Sequence, residues 1–379
     1  PSDEGSMWFR LNRAQNYNDY LEAIKGFSCP GQNMLFASKT GDIAIWQQAR
    51  FPARWNGQGL YVMPGEDSSY MWKEFIPQEQ NPHVLNPASG FIQSANQRPV
   101  DSTYPYFIPG NYIAARGVTI ASRLQQLQHA GPSEMMRLQL DYYSSTASMI
   151  LPFMISNTDV GALGATEREF LDELRRWDFM TTPDSRSTTL YQAWLDSLES
   201  RIWMDEFSQL TGPVALPEEQ TLVEALLRDS AFRFVDDVRT EQKETVQQQV
   251  TAAFRQMASA FSGSDEVPPW AKFKNVSIMH LTGQLEPFSR RGLYAGGWGN
   301  TPNAIKVTHG PSWRMIVHLN GTTEAYGVYP GGQSGNPGSP FYDNGIDMWL
   351  AGRYYVLWMM KPGEATDKRI RGTITFKKA

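Results

Sequence analysis

Cysteine occurs once in this sequence, at Cys29, which excludes an intramolecular disulfide framework and any site built from several thiolates. A lone thiol of this kind is expected to be buried and inert. No apolar run reaches the length a membrane span needs. None of the five histidines, His83, His129, His280, His309 and His318, forms the H-E-x-x-H pair of a zinc hydrolase. His280 and His318 stand among apolar residues and are expected to be structural. Basic blocks are lacking too: 34 Lys and Arg against 39 Asp and Glu leave a net charge of −5 with no cluster that would track phosphates, so nucleic acid is not expected as a partner. The chain opens at Pro1 with neither an initiator Met nor a secretory leader, and a mature or trimmed product is expected.

What is present is a chain of 379 residues, 41% hydrophobic and 12% aromatic, enough to bury a large core. In "NYNDYLEAIKGF", residues 16–27, Tyr20, Ile24 and Phe27 recur at spacings of four and three, which predicts a short amphipathic helix. The runs "MLFAS" and "DIAIWQQARF" that follow are separated by Lys-Thr-Gly, where glycine supplies the positive φ of a tight turn; a β-hairpin is expected, with Asn33 at its entrance. Residues 55–112 carry too many Pro, Gly and Asn for long elements and too many aromatics for disorder, so they read as long ordered loops.

Helical spacing dominates from about Ala114 to Ser262. Phe170, Leu174 and Trp177 form one apolar stripe, Leu190, Trp194 and Leu198 a second, and Val246, Val250, Phe254 and Met257 a third. Ser185 reads as an N-cap, and the early glutamates after Pro217 suit a helix start. After Pro268 and Pro269 the pattern turns to strands at "VSIMHL", "AIKVTH", "SWRMIVHLN", "EAYGVYP", "RYYVLWM" and "RGTITFK". The expected class is α+β, with a sheet built from both ends of the chain. Its β-rich segment 1–113 carries the long loops, residues 114–267 form a helical insertion, and residues 268–379 complete the same domain.

Chemistry-bearing motifs are sparse. "GGQSGNPGSP" fails as a nucleophile elbow around Ser334, because Asn336 stands where the second glycine belongs; a structural turn is expected. Asp141, Asp178, Asp343 and Asp347 are scattered, with no carboxylate pair readable.

Several blocks together resemble the C-terminal part of the β chain of the penicillin acylase (penicillin amidase) family, in the N-terminal-nucleophile hydrolase superfamily. They are "LNRAQNYNDYLEAIKGFSCPGQNMLFASKTGDIAIWQQARFPAR", "VMPGEDSSYMWKEFIPQEQNPHVLNPASGFIQSANQRPV", "HGPSWRMIVHLN" and "PGGQSGNPGSPFYDNGIDMWLAGRYY". The resemblance implies part of an αββα sandwich. In such an enzyme a chain-terminal Ser attacks an amide carbonyl, and its own α-amine, of near-neutral reference pKa, takes the proton. It implies that Asn33 is the oxyanion-hole donor, an interaction worth about 3 to 4 kcal/mol in comparable sites. It implies that Arg54 orients that Asn and the terminal amine through forked hydrogen bonds.

The family's β chain opens on Ser-Asn-x-Trp, whereas "SMWFRLNRA" resembles a position well inside it. Neither Ser2 nor Ser6 is in register as the nucleophile, and Ala37-Ser38 replaces the family's Ala-Asp. The nucleophile, the front of the β chain and the α chain are therefore expected outside these residues, with the isolated chain inactive and the whole enzyme maturing by self-cleavage. The implied ligand is a small-molecule acyl amide, the implied location periplasmic or extracellular, and no cofactor is expected, with calcium left open. The rival reading is a non-catalytic protein whose aromatic loops bind a glycan or another ligand.

Overall fold

The computed structural model describes residues 3–212, 214–229, 231–263, 266–361, 363–364 and 366–378. They fall into two compact units, one of residues 1–128 with 140–310, the other of residues 129–139 with 311–379.

The first unit opens with helices α1 (Glu4–Leu11) and α2 (Tyr17–Ile24). Asn16 caps α2 by accepting the Asp19 amide proton on its side-chain oxygen, satisfying a donor that the first turn leaves free. Strands β1 (Gln32–Ala37) and β2 (Ile43–Gln48) form the expected hairpin, and β3 (His83–Leu85) adds a third antiparallel strand. Gly41 takes φ of 101° in the turn, where a Cβ would be strained.

The register pairs Asn33 with Gln47, Met34 with Trp46 and Leu35 with Ile45. Because successive strand residues alternate faces, Met34 and Trp46 turn to α1 and α2 and pack with Met7, Tyr20, Ile24 and Phe27. Asn33, Leu35, Ile45 and Gln47 occupy the opposite face. Tyr20 ties helix to sheet by donating its hydroxyl proton to the Met34 carbonyl at 2.7 Å.

Helices α3 (Ala115–Gln126), α5 (Ser145–Ser156), α6 (Ala165–Arg175), α7 (Arg186–Phe207), α8 (Glu219–Arg228) and α9 (Val246–Phe261) make up the helical region. The short α4 (Pro132–Gln139) between α3 and α5 belongs to the second unit. All three predicted stripes are buried in one core. Ser185 caps α7, accepting from Thr188 N at 3.1 Å. The 22-residue α7 is central, so it is apolar on more than one face. Its Trp194 donates to the Val250 carbonyl at 3.1 Å and meets Phe254 edge-on at 4.7 Å between ring centroids.

Beyond the helices the structure departs from the expectation. A short helix not expected from the sequence, α10 (Trp270–Lys274), follows Pro269; "VSIMHL" then supplies β4 (Val276–Ile278) as expected, which with β5 (Arg290–Leu293) makes a two-stranded sheet. "AIKVTH" is no strand: the Ile305 carbonyl goes to the buried Lys274 ammonium at 3.0 Å and not to a strand neighbour. In the second unit, β6 (Arg314–Leu319), β7 (Thr323–Val328) and β8 (Tyr355–Val356) form a separate antiparallel sheet, with α11 (Ile346–Leu350) between β7 and β8. "RGTITFK" also forms no strand, and Ile374 and Phe376 stay exposed; alternation alone cannot hold a strand that has no sheet to join.

Among the described residues, therefore, no sheet mixes strands from the two ends of the chain; there are small sheets of local hairpins. The α+β class stands. Cys29 corrects another expectation, since its thiol is exposed. The glycine-rich turn is structural as expected: a Cβ on Gly332 would lie 2.0 Å from the Phe341 carbonyl oxygen, and one on Gly345 2.5 Å from that of Gly331.

Candidate active site

Asn33 sits inside β1 as its second residue, one step beyond the hairpin entrance that its sequence position suggested. Its face is set by the register, and its amide is held from across the chain: Nδ2 donates to Ser94 Oγ at 2.8 Å. A carboxamide nitrogen carries two N–H groups, so this bond occupies one and leaves the other to point away from Ser94. Together with Ile45 and Gln47 of β2, and with Phe91, Ser94 and Arg98 of the following loop, Asn33 lines a pocket of about 290 Å³.

The loop that brings Ser94 here is itself pinned. Asn96 adopts φ of 69°, a left-handed conformation that asparagine tolerates better than most residues. Its side-chain oxygen accepts from the Arg116 guanidinium of α3, and its carbonyl accepts from Ile113 N at 3.2 Å. Gln97 folds back so that its side-chain oxygen accepts the Ala95 amide proton at 2.6 Å. Arg116 and Ile113 thus hold Asn96, two residues along the chain from the Ser94 that holds Asn33.

At the start of β3, His83 stacks on Trp46 with ring centroids 4.0 Å apart, and its Nδ1 lies 2.7 Å from the Asn81 carbonyl. A carbonyl only accepts, so that nitrogen carries the proton. The Trp46 pairing puts this ring on the helix side of the sheet, consistent with a structural part.

Arg54 follows β2, where Ala53 N donates to the Glu74 carbonyl at 2.9 Å. Its guanidinium lies over the Trp72 ring, 4.7 Å from the centroid. Among the described residues no hydrogen bond joins Arg54 to Asn33. Arg54 lines a second pocket, of about 450 Å³, with Trp55, Asp101, Tyr104 and Tyr106. Arg98 lines both pockets, so the two implied site residues belong to neighbouring concavities with one arginine between them.

Sequence reasoning assigned no role to Ser94, Asn96, Arg98 or Arg116. The signal available was the block "FIQSANQRPV", which contains three of them. Among the described residues no three His, Cys, Asp or Glu side chains converge as metal ligands. No helix among them is long and apolar enough to cross a membrane.

The fold is one already seen in a solved acylase. A thermostable penicillin G acylase from Alcaligenes faecalis has a similar structure, with a TM-score of 0.67 at 15% identity, covering 98% of this chain and 72% of that one. The family model for penicillin amidase matches residues 1–365, and the chain belongs to that family. Among curated relatives, an acyl-homoserine lactone acylase QuiP from Pseudomonas fluorescens (strain Pf0-1) is 29% identical over 94% of this chain and 47% of its own length. Penicillin acylase 2 proenzyme from Pseudomonas sp. (strain SE83) is 22% identical over 90% of this chain and 46% of its own. The chain spans about half the length of these relatives.

Proposed function

We propose that this chain supplies the oxyanion donor of an amide hydrolase that removes an acyl group from an amine. The observation that carries the reading is Asn33, fixed at the wall of a pocket with one amide N–H held by Ser94 and the other uncommitted. A donor oriented in advance stabilises the negative charge that develops as the carbonyl becomes tetrahedral, without reorganising when it does so. Family membership supports the choice of reaction, and two kinds of acylase among the relatives support an acyl amide as substrate.

In this reading the nucleophile is a Ser at the start of a longer β chain, its own amine is the base, and the two chains arise by self-cleavage of a precursor. The whole enzyme works in the periplasm or outside the cell, where antibiotic-type and signal-type acyl amides are met. The test is hydrolysis of phenylacetyl and long-chain acyl amides by the longer protein and by the 379-residue chain. Turnover by the longer protein that collapses in Asn33→Ala, with none from the chain alone, is the expected result. Turnover that survives Asn33→Ala removes Asn33 from the role, and turnover by the short chain alone overturns the upstream nucleophile.

A further inference from the structure

The glycine-rich turn of the second unit is no nucleophile elbow, yet it shapes a cavity. Ser334 N donates to the Phe341 carbonyl at 3.0 Å and Gly345 N to that of Gly331 at 2.8 Å. The turn thereby closes on itself and brings Gln333, Phe341 and Asn344 to one pocket of about 240 Å³. Trp313, just ahead of β6, Tyr329, just after β7, and Tyr355 of β8 complete its walls. Gly327 of β7 is the floor: a Cβ there would lie 2.6 Å from the Trp313 ring, so glycine lets the indole lie across the strand. The Trp313 and Tyr329 rings stand 6.0 Å apart at 42°, and Trp313, Phe341 and Tyr355 all remain exposed.

The polar groups of this pocket are only partly used. Gln333 Nε2 donates to the Tyr329 hydroxyl oxygen, which leaves that hydroxyl's own proton to donate elsewhere. Among the described residues the Asn344 carboxamide and the Gln333 side-chain oxygen have no hydrogen-bond partner, and no charged side chain lines the pocket.

We propose that this pocket binds one neutral pyranose ring, as a free sugar or as the end of a glycan, with a C–H face on the aromatic walls and hydroxyls on Gln333, Asn344 and Tyr329. Flat aromatic rings take apolar area, and a pyranose with equatorial hydroxyls presents its axial C–H groups as such a face. Each hydroxyl is both donor and acceptor, as is a carboxamide, so the rim pairs with sugar hydroxyls in either sense. An ionic ligand would be desolvated here with no opposite charge to compensate it. The volume lies below the roughly 300 Å³ at which sites for drug-sized ligands begin, which suits a single ring. All of these residues belong to the second unit, and the inference is independent of the amide-hydrolase reading.

The experiment is a saturation-transfer NMR titration of the 379-residue chain with methyl β-D-glucopyranoside. A Kd on the order of 1 mM is expected for so small a ligand, with saturation strongest on the axial C–H protons of one ring face. Methyl β-D-glucuronide should bind at least about tenfold more weakly. Trp313→Ala should weaken glucoside binding about tenfold and Asn344→Ala about five- to tenfold, while Asn33→Ala should leave it unchanged. Cellotriose distinguishes the two sources of the ring: equal affinity supports a free sugar, tighter binding a glycan end, and either keeps the pocket.

No saturation of the glucoside, uniform saturation of its protons, a glucuronide that binds as tightly, or full affinity in a folded Trp313→Ala overturns the proposal. Indole that displaces the glucoside at concentrations below the glucoside's own Kd also overturns it, because the pocket is then a plain apolar slot. If Trp313→Ala loses its native circular dichroism, Asn344→Ala, at an exposed position, decides: undiminished affinity there removes the site. Loss of glucoside binding in Asn33→Ala would place the sugar in the Asn33 pocket and sink the proposal.

Discussion

The helical region and the hairpin-and-loop region hold themselves together by different means. In the first, α7 and α9 bury Trp194, Leu198, Val250 and Phe254 in a continuous apolar core. In the second, a small cluster behind the hairpin is apolar, but the Asn33 face is organised by individual polar contacts such as Asn33 to Ser94 and Asn96 to Arg116. Apolar burial is additive and non-directional, so it gives stability without aiming any atom. Hydrogen bonds contribute little net energy but fix direction, which an oxyanion donor needs. The separation implies that changes in one region are read by unfolding and changes in the other by chemistry.

The largest effect expected to sharpen this contrast is Trp194→Ala. It removes a fully buried ring, its hydrogen bond to Val250 and its contact with Phe254, and should cost about 3–5 kcal/mol in urea unfolding. Next is Asn33→Ala in the longer enzyme. Its kcat for an acyl amide should fall by about 10²–10³, while the unfolding midpoint moves little because Asn33 is exposed. A large drop in stability with unchanged kcat would break the comparison.

A smaller effect lies in the helical region. Burial, reinforced by Glu219, Asp196 and Glu218, pushes the Glu199 carboxyl up to about 8 from its ordinary 4.5, and its buried oxygen lacks a hydrogen-bond partner. The folded chain therefore keeps a proton that the unfolded chain has already released. Stability is fully present below the unfolded value and falls as pH rises from about 4.5 to about 8. Across that window the loss should be on the order of 1–2 kcal/mol. Glu199→Gln should flatten the slope in thermal melts taken at several pH values; an unchanged slope would place the titration elsewhere.

The smallest effect is Ser94→Ala, which frees the second N–H of Asn33 and lets the amide rotate. A fall in kcat of about five- to tenfold is expected, on the scale of one hydrogen bond. KM should be unchanged and activity should return in Ser94→Thr. A rise in KM alone would show that Ser94 touches substrate and does not position Asn33.

The parts legible in the sequence were those governed by neighbours along the chain. The three helical stripes, the Ser185 cap and the Lys-Thr-Gly turn each rest on a period or on a local hydrogen bond, and each is found where the spacing puts it. The β-rich end was read less well. "AIKVTH" and "RGTITFK" have strand composition, but pairing is a property of two segments, and neither segment is met by a partner strand. The resemblance singled out Asn33 and Arg54 by motif, yet motifs say nothing about what a side chain touches.

The sequence by itself determined the α+β class, the family, the helical core and the hairpin that presents Asn33, because periodicity, capping and motif order are written within short windows of the chain. Only the tertiary structure decided that Ser94, 61 residues away, holds the Asn33 amide, that Arg54 lies over Trp72, and that Arg98 stands between two pockets. The physical reason is that hydrogen-bond direction and the convergence of walls into a cavity depend on segments distant in sequence, whose approach is set by packing and by no local preference.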